Sequence, residues 1–507
     1  MEQTNLINST IRQKFDSVQS TISTEIQAEN TISKILCSKA TSQINSFEAL
    51  NGELRFSGSV CFSVTYVNDI GEFFTITNHE NFTSKLENEN ITVNTVPIFC
   101  AEVLELKVNS SQDEVRLTAI IETNIDALIT ESLNYYVNTN DNIITNSNFV
   151  NYSTLSSSGK ISFNFEENFE SKEKINKVLF KNAGVKILDY SLGTDYFTVE
   201  GIVCVNFGVE VGDENKEIYQ YTKSYKFKEE LEKEGINKEG YLILTSFVDN
   251  CEIGVNLSEN EENNVVNFSV PIVVNYAQIS PNTTEVIVDA YSLKNKLNLT
   301  IESFKVDGKN LVKTFEEKID GQLIIEDDAP RIIKILGYCG ENVTITNAFK
   351  DADNLIIEGL AQVNVIYLEE SETESESLNS VIIEVPFSIE NRVDDINLED
   401  QVSACAMVKD VNAKCKKGKE IYIELELCIV VNSFNTQEEM ALTSVQEGEV
   451  LTPKEACLQI YFARKGNTLW DISKGLLTRP EQILDQNPNL NLPLENDEKI
   501  VLFKNNK

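Results

Sequence analysis

The sequence is poor in the residues that most often carry enzyme chemistry. It has one histidine, His79, one tryptophan, Trp470, and only 43 basic residues against 80 acidic ones. Ser–His or Cys–His catalysis, or a His-rich zinc site, would have to use His79, which we expect to be exposed in a polar loop. Gly-rich nucleotide-binding loops are absent, and no carboxylate stands out from the acidic background. The sequence therefore predicts neither an enzyme nor a cofactor.

Long apolar runs are also missing. No stretch approaches the roughly 18 residues of a membrane-spanning helix. The first ten residues, Met1–Thr10, have neither the basic nor the apolar region of a secretory signal, so we expect a cytoplasmic protein. The net charge of −37 argues against nucleic-acid binding, because phosphates are held mainly by clustered Lys and Arg. Residues 459–507 carry +1, which sets a C-terminal module apart from an acidic body.

The ten cysteines include no Cys-x-x-Cys pair, and most lie in apolar runs such as Val60-Cys61-Phe62. We expect reduced thiols buried as small hydrophobes, with neither a metal site nor a disulfide framework. Cys405 and Cys415, with the neighbouring lysines 409, 414 and 416, could form an activated thiol site, but a strand and a basic turn explain them more simply. The acidic segment 369–377 is typical of a solvated loop rather than of a cation site.

What the chain does contain is a repeat. A motif of the form Ile-x-Lys-apolar-Leu, called the Ile-x-Lys motif below, is followed, 24 or 25 residues after its lysine, by a glycine. The glycine opens a strand with alternating apolar residues, which predicts one buried face. The three motifs begin at Ile32, Ile175 and Ile332, the glycines are Gly58, Gly201 and Gly359, and the runs end at Tyr66, Val209 and Tyr367.

Two further strands close each copy. The pairs are Ala101–Val108 with Val115–Ile121, Leu242–Val248 with Val265–Val274, and Ala404–Val411 with Ile421–Val431. Short strands at regular spacing predict a mainly β protein built from three sandwich-like or barrel-like repeats, arranged as beads and joined by mixed linking segments. We expect one helical segment per repeat, for example at Lys228–Lys233.

The repeated unit resembles the SPOCS domain of spore-coat proteins, on the strength of its Ile-x-Lys motif, its glycine strand and its tandem arrangement. The resemblance implies no catalytic residues. With it, we divide the chain into an N-terminal tail (1–19), three SPOCS-like repeats (20–160, 161–320 and 321–440), a linker (441–456) and a C-terminal module (457–507).

The C-terminal module resembles a LysM domain, a small strand–helix–helix–strand fold. Tyr461 matches the opening strand, the segment 466–469 the turn into the first helix, and Asn487-Pro488 the end of the second helix. LysM domains bind N-acetylglucosamine polymers through the two loops at these places. The resemblance therefore implies a binding site at Gly466, Asn467, Thr468, Leu469, Trp470, Asn487, Pro488, Asn489 and Leu490.

The combination resembles a clostridial spore-coat family whose LysM module contacts the coat morphogenetic ATPase, stage IV sporulation protein A. It implies a non-enzymatic protein of coat assembly, located in the mother-cell cytoplasm at the forespore surface and bound to that ATPase or to other coat proteins. The alternative is a protein that binds peptidoglycan in the cell wall or cortex.

Overall fold

The computed structural model describes residues 3–212, 217–257, 264–325, 329–370, 377–451 and 458–503. Over these residues the protein is mainly β, as the sequence predicts, with two short helices near the C-terminal end. Within the described residues, neither helix has the length and apolar character that a membrane crossing requires. Residues 371–376 of the acidic segment 369–377 lie outside the described residues.

Three units follow one another along the body, and each contains two antiparallel sheets. Unit 1 comprises β1 (Gln3–Lys14), β2 (Val18–Gln27), β3 (Lys34–Leu50), β4 (Glu53–Val67), β5 (Phe73–Glu87), β6 (Val96–Ser110) and β7 (Glu114–Val137). Unit 2 comprises β8 (Ile143–Ser171), β9 (Ile175–Leu192), β10 (Tyr196–Val211), β11 (Glu217–Glu232), β12 (Tyr241–Val248), β13 (Glu252–Leu257) and β14 (Asn264–Ser292). Unit 3 comprises β15 (Asn295–Ile324), β16 (Ile332–Asp351), β17 (Asn354–Glu369), β18 (Ser377–Arg392), β19 (Gln401–Lys416) and β20 (Glu420–Val450).

One sheet of each unit, here called the motif sheet, begins with the strand of the Ile-x-Lys motif. The motif sheets are β3-β4-β5, β9-β10-β11 and β16-β17-β18. In the second sheet of unit 1, β1, β2 and β6 pair with β7. In that of unit 2, β8, β12 and β13 pair with β14, and in that of unit 3, β15 and β19 pair with β20. The two closing strands of each copy pair with each other, as β6–β7, β12–β14 and β19–β20. A separate apolar core fills the space between the two sheets of each unit.

The repeated glycine marks a close approach inside each motif sheet. A Cβ on Gly58 would lie 2.5 Å from the Gln43 carbonyl oxygen and 2.5 Å from the Phe82 ring. Gly201 and Gly359 are crowded in the same way by a carbonyl of the first strand and a phenylalanine of the third strand of their sheets. The strand pairing is irregular at each of these positions. Only glycine therefore fits at this irregularity without displacing its neighbours.

The Ile-x-Lys motif holds the three units in a ring. Its isoleucine belongs to the core of its own unit, whereas its leucines, Leu36, Leu179 and Leu336, meet in one cluster shared by all three units. A hydrogen bond to a main-chain carbonyl links each unit to the next. Thr65 donates to the Leu179 carbonyl, Gln220 to the Tyr338 carbonyl, and Asn364 to the Leu36 carbonyl. The expected arrangement as beads is therefore wrong: the units close head to tail around a pseudo-threefold axis.

Polar side chains from the first strands of the three motif sheets meet near this axis and carry different chemistry. Lys39 donates a hydrogen bond to the Asn182 side chain, and Glu341 attracts the same lysine. Asn206, on the strand next to Asn182, donates to Glu341 at 2.8 Å. Burial lowers the pKa of Lys39, while the charge of Glu341 counteracts that effect. The three first strands thus bring one cation, one amide and one anion to the axis.

The segments that we expected to be linkers are long strand extensions. They form three two-stranded ribbons, β1 with β7, β8 with β14, and β15 with β20. The ribbons pack together through apolar side chains, among them Ile7 and Tyr135 of the first, Val150 and Val286 of the second, and Phe304 of the third. Residues 3–14 of the expected tail thus form β1, and residues 441–450 of the expected linker continue β20. Residues 452–457 lie outside the described residues.

Two smaller expectations are also corrected. Lys228–Lys233 is not helical, because residues up to Glu232 belong to β11, which pairs along its length with β10. Cys37 and Cys339, which we expected to be reduced, form a disulfide with their Cα atoms 6.1 Å apart. The two cysteines are separated by 302 residues in the sequence, so their pairing could not be predicted from it. They meet because the ring brings β3 of unit 1 beside β16 of unit 3.

Candidate functional site

The C-terminal module has the strand–helix–helix–strand order that the sequence predicts. It comprises β21 (Leu458–Ala463), α1 (Leu469–Leu476), α2 (Pro480–Gln486) and β22 (Glu498–Phe503). Thr468 caps α1: its hydroxyl accepts from the Asp471 amide, and the Asp471 carboxylate accepts from the Thr468 amide. This reciprocal pair satisfies two donors at the helix start. The small core of the module includes one isoleucine from each of α1, α2 and β22, namely Ile472, Ile483 and Ile500.

The two expected binding loops lie side by side. The Gly466 amide donates to the Leu494 carbonyl, and the Leu494 amide donates to the Asn467 carbonyl, at 2.7 and 3.0 Å. Gly466 has φ of +88°, a conformation that favours glycine. The side chain of Asn467 accepts from the Arg464 amide and so closes the turn after β21.

The remaining loop residues divide into structural and exposed ones. Asn487 donates to the Ile483 and Val501 carbonyls, which ties the end of α2 to β22. Leu469 and Leu490 pack against the module core. Pro488 and Asn489, like Gly466, are exposed. The exposed residues are those that the structure leaves available for a ligand.

Trp470 points toward the body rather than toward the loops. Its indole N–H donates to Asp289 at 2.9 Å, and its ring lies 5.1 Å from that of Tyr291, both on β14. Lys474 also donates to Asp289, at 2.6 Å. Burial alone would raise the pKa of Asp289, but the hydrogen bonds from Lys474 and Trp470 hold it below its usual value. Helix α1 therefore forms the surface through which the module contacts the second ribbon.

A different face of the module is apolar and exposed. Leu458, Ile460 and Phe462 alternate along β21, and opposite them on β22 lie Phe503, Val501 and Lys499. Directly opposed residues of an antiparallel pair share one face. Phe462 is 70% exposed and Phe503 63%, and the Lys499 ammonium lies 5.5 Å from the Phe462 ring. We call this surface, formed by Leu458, Ile460, Phe462, Val501 and Phe503, the outer face.

The single histidine has a different setting from the one expected. His79 is exposed, but it lies in strand β5 opposite Cys61 of β4 rather than in a loop, with 3.8 Å between the sulfur and Nε2. Burial raises the pKa of the Cys61 thiol, which disfavours the nucleophilic thiolate. The described geometry here is that of two neighbours on a sheet surface.

Cys405 belongs to a cluster that the sequence did not indicate. A cavity of about 760 Å³ lies between the units, and its lining includes Cys405 of β19, Cys100 and Glu102 of β6, and Lys186 of β9. Cys100 donates a hydrogen bond to Glu102, with 3.6 Å between the sulfur and the carboxyl oxygen. The cluster thus takes side chains from all three units. Cys415, ten residues further along β19, is outside it.

The charges in this cluster are interdependent. The neighbouring Cys100 thiol, together with the nearby Lys186, lowers the pKa of Cys405, although burial opposes this. Burial raises the pKa of Glu102 to about 8, despite the attraction of Lys186. Across the described residues, no three histidine, cysteine or carboxylate side chains are grouped as metal ligands would be.

Replacing Glu102 by Gln should make the free energy of unfolding fall less as the pH rises. Folded Glu102 keeps its proton up to about pH 8, whereas the unfolded chain releases it near 4.5, so the folded state binds more protons between these values. Stability therefore falls as pH rises through this window. Urea unfolding at pH 5 and pH 8 should show that the variant avoids a loss of about 3 kcal/mol. Glu105→Gln, on the same strand, is the control; an equal pH slope in all three proteins would contradict the assignment.

Comparison with known proteins identifies one part of the chain. Residues 331–416 match the family model described as SipL, SPOCS domain. The match begins just before β16 and ends with β19, so it lies within the third predicted repeat. No curated protein and no solved structure matches the chain. The chain therefore contains a SPOCS domain, which is consistent with a sporulation-related protein.

Proposed function

We propose that the protein is a non-enzymatic scaffold of spore-coat assembly whose C-terminal module holds a partner protein, the coat morphogenetic ATPase known as stage IV sporulation protein A. The observation that carries this proposal is the outer face. Contiguous exposed apolar surface on a small module is typical of a protein contact.

The composition of the module supports a protein partner over a sugar polymer. Sugar binding in a LysM-like groove would draw on aromatic and polar side chains at the loops. The one aromatic residue among the expected loop residues, Trp470, packs against the body, and Asn467 and Asn487 hold the module together. By contrast, the outer face is open and is flanked by Lys499. A partner surface that complements the outer face is an apolar patch with acidic residues at its rim.

We expect Phe462→Asp to weaken binding of the full-length protein to the purified ATPase by tenfold or more, because the change buries a charge at the centre of the contact. Biolayer interferometry on immobilised ATPase measures the effect. Asp485→Asn, on exposed helix α2, is the matched control and should bind like the wild type. Fluorescence of Trp470 checks that the module remains docked.

Two results would contradict the proposal. One is binding of Phe462→Asp within twofold of the wild type. The other is retention of the wild-type protein on purified sacculi but not on the ATPase, which would favour the peptidoglycan alternative. In sporulating cells the same variant should leave coat material detached from the forespore.

A further inference from the structure

We infer that Lys39 of unit 1 and Asn182 of unit 2 become joined by an amide bond between their side chains after folding, with Glu341 of unit 3 carrying the proton. The inference rests on the hydrogen bond between the lysine and the amide, on the carboxylate held beside them, and on the cavity that they adjoin. It goes beyond the function proposed for the C-terminal module, and the two proposals can fail separately.

The nucleophile and the group that it would attack are already in contact. Nζ of Lys39 donates a hydrogen bond to the side-chain oxygen of Asn182, although the two residues are 143 positions apart in the chain. Since the amide carbon is bonded to that oxygen, the nitrogen lies beside the atom that it would attack, and no diffusional encounter is needed. Both residues are half-buried. Burial lowers the pKa of Lys39, which favours the free amine, the nucleophilic form of a lysine.

Glu341 is placed beside this pair by contacts on two sides. Asn206 lies directly opposite Asn182 in the motif sheet of unit 2, and its side-chain amide donates to Glu341 at 2.8 Å. On the other side, a Cβ on Gly340 would lie 2.7 Å from the carbonyl oxygen of Ser38, so the residues that precede the carboxylate and the lysine touch. Oε2 of Glu341 is buried and has no hydrogen-bond partner among the described residues. This oxygen is available to take up a proton, in direct contact or through one water.

The reaction exchanges one amide for another and needs neither an oxidant nor a second substrate. Nζ of Lys39 attacks the side-chain carbon of Asn182 and forms a new C–N bond. The proton that the attacking nitrogen loses passes to Glu341, and from there to the side-chain nitrogen of Asn182. The old C–N bond then breaks, and this nitrogen leaves as ammonia with the transferred proton. Asn182 and Glu341 line the cavity of about 760 Å³, which can receive the ammonia.

The bond would join two units that the disulfide leaves unlinked. Cys37 and Cys339 connect unit 1 to unit 3. Lys39 follows Cys37 by two residues on β3, and its bond would connect unit 1 to unit 2. Unit 1 would thus be covalently linked to both of its neighbours around the pseudo-threefold axis. A thiol reductant would break only the link to unit 3.

Mass spectrometry of the folded, full-length protein tests the inference. After reduction of the disulfide, the intact mass should be lower than the mass of the sequence by one molecule of ammonia. A digest should contain a branched peptide that joins Lys39 to Asn182. Lys39→Met and Asn182→Ala should both have the mass of their unmodified sequences. Lys85→Met is the control for loss of a lysine, because Lys85 is exposed on β5 of the same sheet as Lys39, and this variant should form the bond.

Glu341→Gln separates proton transfer from support of the fold. Glutamine can still accept the hydrogen bond from Asn206, but it cannot carry the proton. We therefore expect the bond to form about tenfold or more slowly, as followed by the linked fraction after cell-free synthesis of the full chain. Glu384→Gln, at an exposed position of β18 in the same sheet as Glu341, is the matched control and should react like the wild type. Circular dichroism verifies folding of each variant.

Two results would overturn the inference. One is a folded wild-type protein that keeps the mass of its sequence, or gains the mass expected from deamidation of Asn182, after prolonged incubation. The other is an equal rate of bond formation in the wild type and in Glu341→Gln, which would remove the carboxylate from the reaction. Neither measurement involves the partner of the C-terminal module.

Discussion

Replacing Arg12 by Met is expected to lower the free energy of unfolding by about 3–5 kcal/mol, because it leaves a buried carboxylate without its cation. The Arg12 guanidinium lies 2.5 Å from Asp126, and the two side chains are only 5% and 9% exposed. The same guanidinium stacks 4.2 Å from the centre of the Phe434 ring, and Ser403 donates to Asp126 at 3.0 Å. The change would therefore disturb both the first ribbon and its contact with unit 3.

Urea unfolding followed by circular dichroism measures this loss. Arg116→Met is the control, because Arg116 pairs with Glu25 on the surface of the same unit, where both side chains are more than half exposed. Such a pair contributes less than about 1 kcal/mol. Adding Asp126→Leu to Arg12→Met should recover much of the loss, since the uncompensated charge is then gone. Equal effects of Arg12→Met and Arg116→Met would show that the buried pair is not a stabilising contact.

Removing the Cys37–Cys339 disulfide is expected to cost up to about 5 kcal/mol, since it closes a very long loop in the unfolded chain. The two residues are separated by 302 positions and lie in the cluster shared by the three units. Alanine at both positions keeps the site apolar, so the double variant mainly reports the lost bond.

The unfolding midpoint of the wild type should shift in the same direction when reductant is added, and that of the double alanine variant should not move. Thiol titration in denaturant establishes that the bond has been reduced. Cys415→Ser serves as a control for loss of an unpaired cysteine. An unchanged wild-type midpoint after verified reduction would show that contacts between the units, rather than the covalent bond, hold the seam closed.

Local patterns in the sequence were enough to predict much of the fold. Alternation after Gly58, Gly201 and Gly359 predicted the central strands of the motif sheets, because a half-buried strand needs an apolar residue at every second position. The turn at Gly466 and the helix start at Thr468 predicted the strand–helix–helix–strand order near the C-terminus for the same kind of reason. Each of these features depends on contacts between residues close in the chain.

Features that depend on distant residues could not be predicted in this way. In β1, only Ile7 and Ile11 supply large apolar side chains to the interior, and Ser9, Thr10 and Arg12 are buried beside them. That pattern resembles a polar tail until β7 and unit 3 are placed around it. Similarly, Lys186 and Cys405 acquire their chemistry only because the ring brings β9 and β19 to one cavity. Likewise, Asp289 gains Trp470 and Lys474 as hydrogen-bond donors only because the C-terminal module docks on β14.

The chemistry at the pseudo-threefold axis makes the three units different from one another. Three identical subunits built like unit 1 would bring three lysines to the axis, and three built like unit 3 would bring three glutamates, so that like charges would repel. Because the three units are parts of one chain, their residues at the axis can differ, and Lys39, Asn182 and Glu341 form a complementary centre instead. The copies are then no longer interchangeable. Substituting a second copy of unit 1 for unit 2 would place two cations at the axis. The balance of charge at the axis therefore requires the three units that the chain contains.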